Sequence, residues 1–212
     1  MTRRPYQSPR RSEQAADTRA QVVAAARAVF VEDGWRKATI ASVARRAGVS
    51  AETIYASFGN KPQLLLAVVH ATARRREPGV AVVDQPGAQA VAGAPDQRAA
   101  LKFFALDVTD LLAGVAPIMA VVREAARSEP EVAQVYEAIH RGRRDNFTRV
   151  AMALTEKGAL RQGVDATAVV AEVWRLASPE LYLLMTGIEG LSQAQFAAWL
   201  ERTLARLLLP DA

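Results

Sequence analysis

Apolar residues recur along this chain at the three- and four-residue spacing of amphipathic helices, and no stretch alternates like a half-buried strand. The spacing predicts a first helix that is capped by Asp17 or Thr18 and ends at Gly34, where Trp35 folds back. Its apolar face comprises Val22, Ala26, Val29 and Phe30. An all-α fold follows from this periodicity.

Three further helices are predicted in the N-terminal third. A short helix runs from Thr39 to Ala47, a turn follows at Gly48, and another helix is capped by Ser50 and ends near Phe58. Asn60 is placed to cap a fourth helix, which tolerates a proline at position 62 in its first turn. The inner side of this helix is apolar: Leu64, Leu65, Val68 and Val69.

The remainder of the chain is predicted to be a loop followed by five helices. Residues 78–95 are rich in Gly, Ala and Pro and are predicted to form a loop. The helices are expected over 96–113, 116–128, 130–157, 165–187 and 192–208, with a bend at Pro179 in the fourth of them. Asp165 is a candidate cap, and Ser192 with Gln195 forms a capping box.

The charge of the chain is concentrated at one end. Residues 1–61 carry eleven Lys and Arg against five Asp and Glu, a net charge of +6, whereas residues 62–212 carry sixteen against seventeen, a net charge of −1. A basic third on a nearly neutral body is typical of a module that binds a polyanion. A solvated charged face is the alternative that charge alone leaves open.

Composition excludes several classes of site. There is no cysteine, and the two histidines lie far apart in the sequence, so neither a disulfide framework nor a metal set with recognisable spacing is expected. No cofactor is expected, because the chain has no Gly-rich phosphate loop and no nucleophile motif, and an enzyme is not predicted. The chain lacks a signal-peptide pattern and a long apolar run, which favours a cytoplasmic protein.

Residues 39–58 meet the steric requirements of a helix-turn-helix. Ala44 is small where the two short helices approach, and Gly48 allows the chain to leave the first of them in a left-handed conformation. A shared core is predicted from Val43, Val49, Ile54 and Phe58. The opposite side of the second helix is then exposed near a helix N-terminus, a place where phosphates bind.

The residues of this segment resemble the DNA-binding domain of TetR-family regulators. The resemblance covers residues 17–64 and is carried by Gly34-Trp35, Thr39, Val43-Ala44, Ala47-Gly48-Val49-Ser50, Thr53-Ile54-Tyr55, Phe58 and Lys61 to Leu64. It implies that Thr39, Tyr55 and Lys61 hold phosphates and that Ser50 to Thr53 lie at the floor of the major groove. Ala56 and Ser57 depart from the family pattern, which leaves fewer base contacts.

The full predicted DNA-binding set is Thr39, Arg45, Arg46, Ser50, Ala51, Glu52, Thr53, Tyr55 and Lys61. Two alternatives remain open for Glu52: its carboxylate accepts a hydrogen bond from a cytosine amino group, or it complements the helix dipole. The basic arm with Arg3, Arg4, Arg10 and Arg11 follows the minor groove or acts as a nonspecific tether. Arg74, Arg75 and Arg76 complement the end of the fourth helix or form a second DNA contact.

Three regions are therefore predicted: a disordered basic arm over 1–16, a helix-turn-helix DNA-binding domain over 17–62, and a helical-bundle domain over 63–212 that binds an effector and dimerises. The candidate effector pocket comprises Phe103, Phe104, Met119, Arg123, Tyr136, Phe147 and Met152. The candidate dimer interface comprises Trp174, Leu181, Leu184, Phe196, Trp199 and Leu204.

The favoured hypothesis is a homodimeric transcriptional regulator, most simply a repressor, which binds a palindromic double-stranded DNA operator and is released by a small-molecule effector. Activation instead of repression stays open. The alternative is a helical homodimer or a small enzyme in which the helix-turn-helix is only a packing element. The uneven charge distribution argues against that alternative.

Overall fold

The computed structural model describes residues 9–73 and 85–211, and these residues are helical or irregular, with no β-strand among them. They fall into two compact units, the first ending at Ala71 and the second beginning at Thr72. The sequence-based boundary between residues 62 and 63 lies nine residues earlier. The structure thus places most of the fourth helix with the N-terminal unit.

The N-terminal unit contains four helices. They are α1 (Pro9–Lys37), α2 (Ile40–Ala47), α3 (Ala51–Phe58) and α4 (Lys61–Ala73). Helix α1 is interrupted at Gly34, the predicted end of the first helix, where φ is 70° and ψ is 175°. The predicted apolar face of α1 is buried, as are Val43, Ile54 and Phe58, whereas Val49 is half-buried. The predicted caps Ser50 and Asn60 are confirmed, since each side chain accepts a hydrogen bond from a backbone N–H three residues on. Thr39, predicted as the first residue of its helix, caps α2 in the same way.

The start of α1 differs from the prediction. The helix begins at Pro9, so residues 9–16 are helical and not a disordered arm. Thr18 does not cap it, because its hydroxyl donates to the Gln14 carbonyl oxygen one turn back (2.8 Å), a bond of a helix interior. Good helix formers precede Asp17, and Pro9 is suited to a first helical position. Residues 1–8 and 74–84, and with them Arg3, Arg4 and Arg74 to Arg76, lie outside the described residues.

The C-terminal unit is built around one long helix. Its elements are α5 (Pro86–Ala92), α6 (Gln97–Ala125), α7 (Pro130–Lys157), α8 (Ala166–Leu176), α9 (Pro179–Leu183), a π-helical turn (Leu184–Ile188) and α10 (Gln193–Leu208). Helix α6 packs against α5, α7, α9 and α10, and α7 packs against α8. The shared core includes Leu101, Leu154, Phe196, Leu200 and Leu204.

Helix α6 is, among the described residues, the one helix long and apolar enough to cross a membrane. Half of its most apolar window is buried inside the protein, and the buried residues belong to the core of the C-terminal unit. Core helices of soluble proteins meet the same criterion of length and composition. The packing of α6 therefore accounts for its hydropathy.

Three predicted boundaries in this unit were wrong. The predicted loop over 78–95 contains α5, in which Ala88 to Ala92 favour a helix and Val91 is buried. Pro117 does not end a helix, because α6 continues through it. The lost hydrogen bond and the steric clash cost about 3 kcal/mol, but Ile118 and Met119 are both buried just beyond, each contributing about 1.5–3 kcal/mol.

The third error concerns residues 165–187, which form α8, α9 and the π-helical turn instead of one bent helix. The chain breaks because Ser178 caps a new helix, its side chain accepting from the Leu181 N–H (3.2 Å). Pro179 then occupies the first turn of α9, where its missing N–H is not needed. The other caps follow the prediction: Asp165 caps α8, and Ser192 with Gln195 forms the capping box of α10.

Candidate nucleic-acid interface and effector cavity

Helices α2 and α3 form a helix-turn-helix whose turn depends on Gly48. This residue caps α2 with φ 67° and ψ 27°, the left-handed conformation that favours glycine. Ala44 is buried at the approach of the two helices, while Ile54 and Phe58 hold α3 from the inside. The outer side of α3 therefore faces solvent, with Tyr55 53% exposed.

The first turn of α3 is ordered by its own side chains. The Ser50 hydroxyl oxygen accepts from the Thr53 N–H (3.2 Å) and lies 3.1 Å from the Thr53 hydroxyl. The Glu52 backbone N–H and the Ser50 hydroxyl both hydrogen-bond the Glu52 carboxylate and lower its pKa. Of the two readings of Glu52, this geometry favours the one in which the carboxylate complements the helix N-terminus.

Two predicted phosphate ligands hold structural contacts as well. Thr39 is exposed, and its hydroxyl oxygen caps α2 in a reciprocal pair with Ser42 (3.0 Å in each direction). The Lys61 ammonium donates to the Trp35 carbonyl oxygen and lies 3.9 Å from the centroid of the Trp35 ring. Lys61 thereby joins the start of α4 to the end of α1.

The two adjacent arginines of α2 differ in their surroundings. Arg46 forms a bidentate ion pair with Glu32 of α1, with 2.8 Å between Nη2 and Oε1. The pair lowers the pKa of Glu32 and raises that of Arg46, chiefly through the hydrogen bonds. Arg45 is exposed. The charge of Arg46 is consequently partly neutralised, and that of Arg45 is directed to solvent.

Sequence reasoning missed Arg19 as a residue that positions α3. Its guanidinium donates to the Ser57 carbonyl oxygen (2.7 Å) and lies 4.2 Å from the centroid of the Phe58 ring. These contacts fix the C-terminal end of α3 on α1. No short motif signals them, since Arg19 and Ser57 are 38 residues apart.

The residues predicted for the effector pocket are not brought together in one cavity. Phe104 and Phe147 line a cavity of about 210 Å³ between α5, α6 and α7. Met119 is fully buried elsewhere, and Phe103 and Met152 are exposed. Helical spacing alone did not show which side of α6 and α7 each of these residues occupies.

Arg123 and Tyr136 lie apart from this cavity. Arg123 lines a second, smaller cavity of about 50 Å³ together with Glu180. Tyr136 donates to Glu180 Oε1 (3.1 Å) and packs edge-on against His140, with 4.4 Å between ring centroids. Burial, followed by the neighbouring Arg143, lowers the pKa of His140.

The 210 Å³ cavity has an apolar floor and a polar rim. The apolar floor consists of buried side chains from all three helices: Val91, Phe104, Val108 and Val150. The polar rim consists of exposed side chains: Gln89, Asn146 and Arg149. The half-buried Asp107 lies between them. Sequence analysis had not singled out Gln89 or Arg149 of the rim.

Burial removes two residues from the candidate dimer interface. Phe196 and Leu204 are fully buried in the core of the C-terminal unit, on the inner face that α10 repeats every four residues. Trp174, Leu181 and Trp199 are half-buried, whereas Leu184 is 49% exposed. Ile188, 81% exposed at the end of the π-helical turn, was missed because that stretch was predicted as regular helix.

The arrangement defines the class of protein: a helix-turn-helix protein with an all-helical second unit that contains a cavity. Residues 22–68 match the profile of bacterial regulatory proteins of the tetR family. This match overlaps residues 17–64, on which the resemblance to TetR-family regulators rests, and it identifies residues 22–68 as similar to the N-terminal domain of that family.

Known proteins similar to this chain agree with that placement. The HTH-type transcriptional regulator TtgR of Pseudomonas putida is 40% identical over 60 residues, which are 28% of this chain and 29% of TtgR. The matched region thus spans less than a third of the length of that relative.

Solved structures match over most of the chain. The transcriptional regulator FadR from Bacillus subtilis, solved with stearoyl-CoA, has a TM-score of 0.69 at 18% identity and covers 87% of this chain and 96% of its own. SmeT in complex with triclosan has a TM-score of 0.67 at 17% identity and covers 92% and 93%. At these identities the likeness establishes the fold.

Proposed function

We propose that this protein is a homodimeric, sequence-specific DNA-binding regulator of transcription. In this proposal a small molecule controls its affinity for a palindromic operator. The observation that carries the proposal is the outer face of α3, which presents Tyr55 and the first-turn residues, together with the exposed Arg45 of the preceding helix. A regulatory role is proposed in place of a catalytic one, and a cytoplasmic location is proposed with it because the protein would act on DNA.

In this proposal α3 enters the major groove. Residues Ala51 and Thr53 lie nearest the base edges, while Thr39, Arg45 and Tyr55 contact phosphates. Arg46 adds a phosphate contact only when it leaves Glu32. Glu52 stays at the helix N-terminus and is not a base-reading residue.

Two copies are needed because one short helix offers few base contacts. Equivalent helices in a dimer on a palindrome lie about 34–36 Å apart, one turn of DNA. We place the interface on the exposed apolar side chains of the π-helical turn, Leu184 and Ile188, and on the half-buried Trp199. Their exposure in a single chain would be relieved by a second copy.

A dimer test follows from this placement. Leu184→Arg introduces one charge per copy, and therefore two charges, into the interface of each dimer. The variant should be monomeric when measured by sedimentation velocity. Met152→Arg is the matched control, since Met152 is an apolar residue of similar exposure (53%) on α7 that is not part of the proposed interface. Equal dissociation constants for the two variants would place the interface elsewhere.

Effector control requires that the ligand bind one conformation of the dimer better than the other. Helix α4 provides the covalent route, because it begins in the DNA-binding unit at Lys61 and ends in the second unit at Ala73. The ligands named for FadR and SmeT, stearoyl-CoA and triclosan, support the presence of a small-molecule site in proteins of this fold. Release of a repressor is the simplest outcome of such binding.

The DNA-binding proposal is tested by selection of binding sites from random duplex DNA with the purified full chain. We expect a palindromic site and a steep loss of affinity with salt. Arg45→Gln should reduce the salt slope by about 0.9 per copy, whereas Arg202→Gln, an exposed arginine on α10, should leave it unchanged. A protein that enriches no sequence and ignores every duplex at low ionic strength would refute the proposal.

A further inference from the structure

The cavity between α5, α6 and α7 accepts a ring more readily than a chain. Phe104 and Phe147 meet edge to face, with 5.7 Å between centroids and an interplanar angle of 89°. Phe104 is buried in the apolar floor, and Phe147 is half-buried beside the opening. A third aromatic ring placed against this pair would gain edge-to-face or offset stacking contacts of the kind that aromatic clusters favour.

The size of the cavity limits the occupant. An apolar cavity of about 150 Å³ holds benzene, and this cavity measures about 210 Å³. It therefore has space for one ring, or two fused rings, with a small substituent. A long acyl chain would not fit within this volume without displacing α5 or α7.

The charges around the cavity oppose each other. Asp107 of α6 and Arg149 of α7 both line it, so the charges of the lining sum to zero and give neither a cation nor an anion a net electrostatic advantage. Asp107 lies close against Gly87 of α5, since its Oδ1 is 1.8 Å from the position that a Cβ on Gly87 would occupy. Gln89 and Asn146 in the polar rim offer both donors and acceptors without net charge.

We infer that this cavity binds a compact, uncharged aromatic compound with one hydrogen-bonding group, the ring seated on the apolar floor and the polar group at the polar rim. The inference rests on the proposed function only in identifying this ligand with the effector. The binding itself depends on the cavity alone.

Calorimetric titration of the full chain with four probes tests the chemistry. Indole is the neutral ring with one N–H donor, benzoate and benzylammonium are rings of similar size with opposite charges, and octanoate is a flexible chain. We expect indole to bind at least tenfold more tightly than each of the other three. Equal affinities across the series, or a preference for octanoate, would overturn the inference.

A matched pair of variants on α5 tests the location. Ala88 lines the cavity, whereas Ala90 is exposed two residues away on the same helix. Ala88→Leu should fill the space and weaken indole binding at least tenfold, and Ala90→Leu should leave it unchanged. Both variants should keep the helical circular dichroism of the parent chain. Undiminished indole binding by a folded Ala88→Leu variant would place the ligand elsewhere and overturn the inference.

Titration of the selected DNA site in the presence of indole separates the two proposals. Indole binding that is lost in Ala88→Leu supports the cavity assignment even if DNA affinity does not change, in which case effector control through this cavity fails. Conversely, tight DNA binding by a chain that does not bind indole overturns the cavity assignment and leaves the DNA-binding function standing.

Discussion

Replacing Lys61 by Met should destabilise the protein, because the ammonium is held between the carbonyl oxygen and the ring of Trp35. Methionine keeps most of the aliphatic length and removes the charge. A cation–π contact at a partly exposed site contributes about 0.5–1 kcal/mol, and a hydrogen bond from a charged donor about 1.5–3 kcal/mol, reduced here by the partial exposure of Lys61. The expected loss is about 2 kcal/mol in the free energy of unfolding.

Thermal unfolding followed by circular dichroism measures this loss. For a chain of this size that unfolds as one unit, about 2 kcal/mol corresponds to a decrease in Tm of about 4–8 °C. Lys37→Met is the matched control: Lys37 is exposed in the last turn of α1 and should change stability by no more than about 0.5 kcal/mol. Equal melting temperatures for the two variants would refute the structural role of Lys61.

The same variant tests the phosphate contact implied by the family resemblance. One contact from each copy of a dimer would contribute about 1.8 to the slope of log affinity against log salt. Measured well below the melting temperature, Lys61→Met should lower the slope by that amount if the ammonium reaches the DNA. An unchanged slope would show that Lys61 does not contact DNA. Its contact with Trp35 would then be its remaining role.

Three further outcomes are expected. Glu32→Gln releases Arg46 for a phosphate and should raise DNA affinity at low salt, measured by fluorescence anisotropy; weaker binding would contradict the partial neutralisation. Gly48→Ala should destabilise by about 1 kcal/mol because φ is 67° there, whereas Gly142→Ala, in open space inside α7, should stabilise by about 0.5–1 kcal/mol; denaturant titrations giving the same sign for both would contradict the backbone argument. Burial lowers the pKa of His140 below its ordinary 6.5, so the unfolded chain takes up the proton first and stability should fall as pH drops through 6.5 towards the folded pKa; the effect should vanish in His140→Gln, and a decline of equal size in that variant would refute its origin.

The elements that local chemistry defines were predictable from the sequence. Ser50, Asp165 and Ser192 cap the helices at which they were expected, because a capping residue and its partner N–H lie three residues apart. Pro117 was misread for the opposite reason, since the helix through it depends on burial against residues distant in the sequence, which outweighs local propensity. Residues 86–92 were misread because the surrounding Gly and Pro suggested a loop, although Ala88 to Ala92 favour a helix.

The candidate sites show the same division. The exposed face of α3 follows from helical periodicity, since Ile54 and Phe58 point inward and Tyr55 does not. The ion pair of Arg46 with Glu32 joins two helices and has no local signal. Of the predicted effector pocket, Phe104 and Phe147 line the cavity, and the rest of the lining could not be predicted because it depends on how α5, α6 and α7 approach and on which side of each helix is covered.

The contact of Arg19 with the end of α3 bears on how operator preference could be transplanted between proteins of this kind. The Ser57 carbonyl and the Phe58 ring are both held by a side chain that lies two helices earlier in the sequence. A chimaera exchanging only residues 40–58 would therefore read DNA at an altered tilt. The exchanged segment has to start upstream of Arg19, so that Arg19 is transferred together with α3, the helix that it orients.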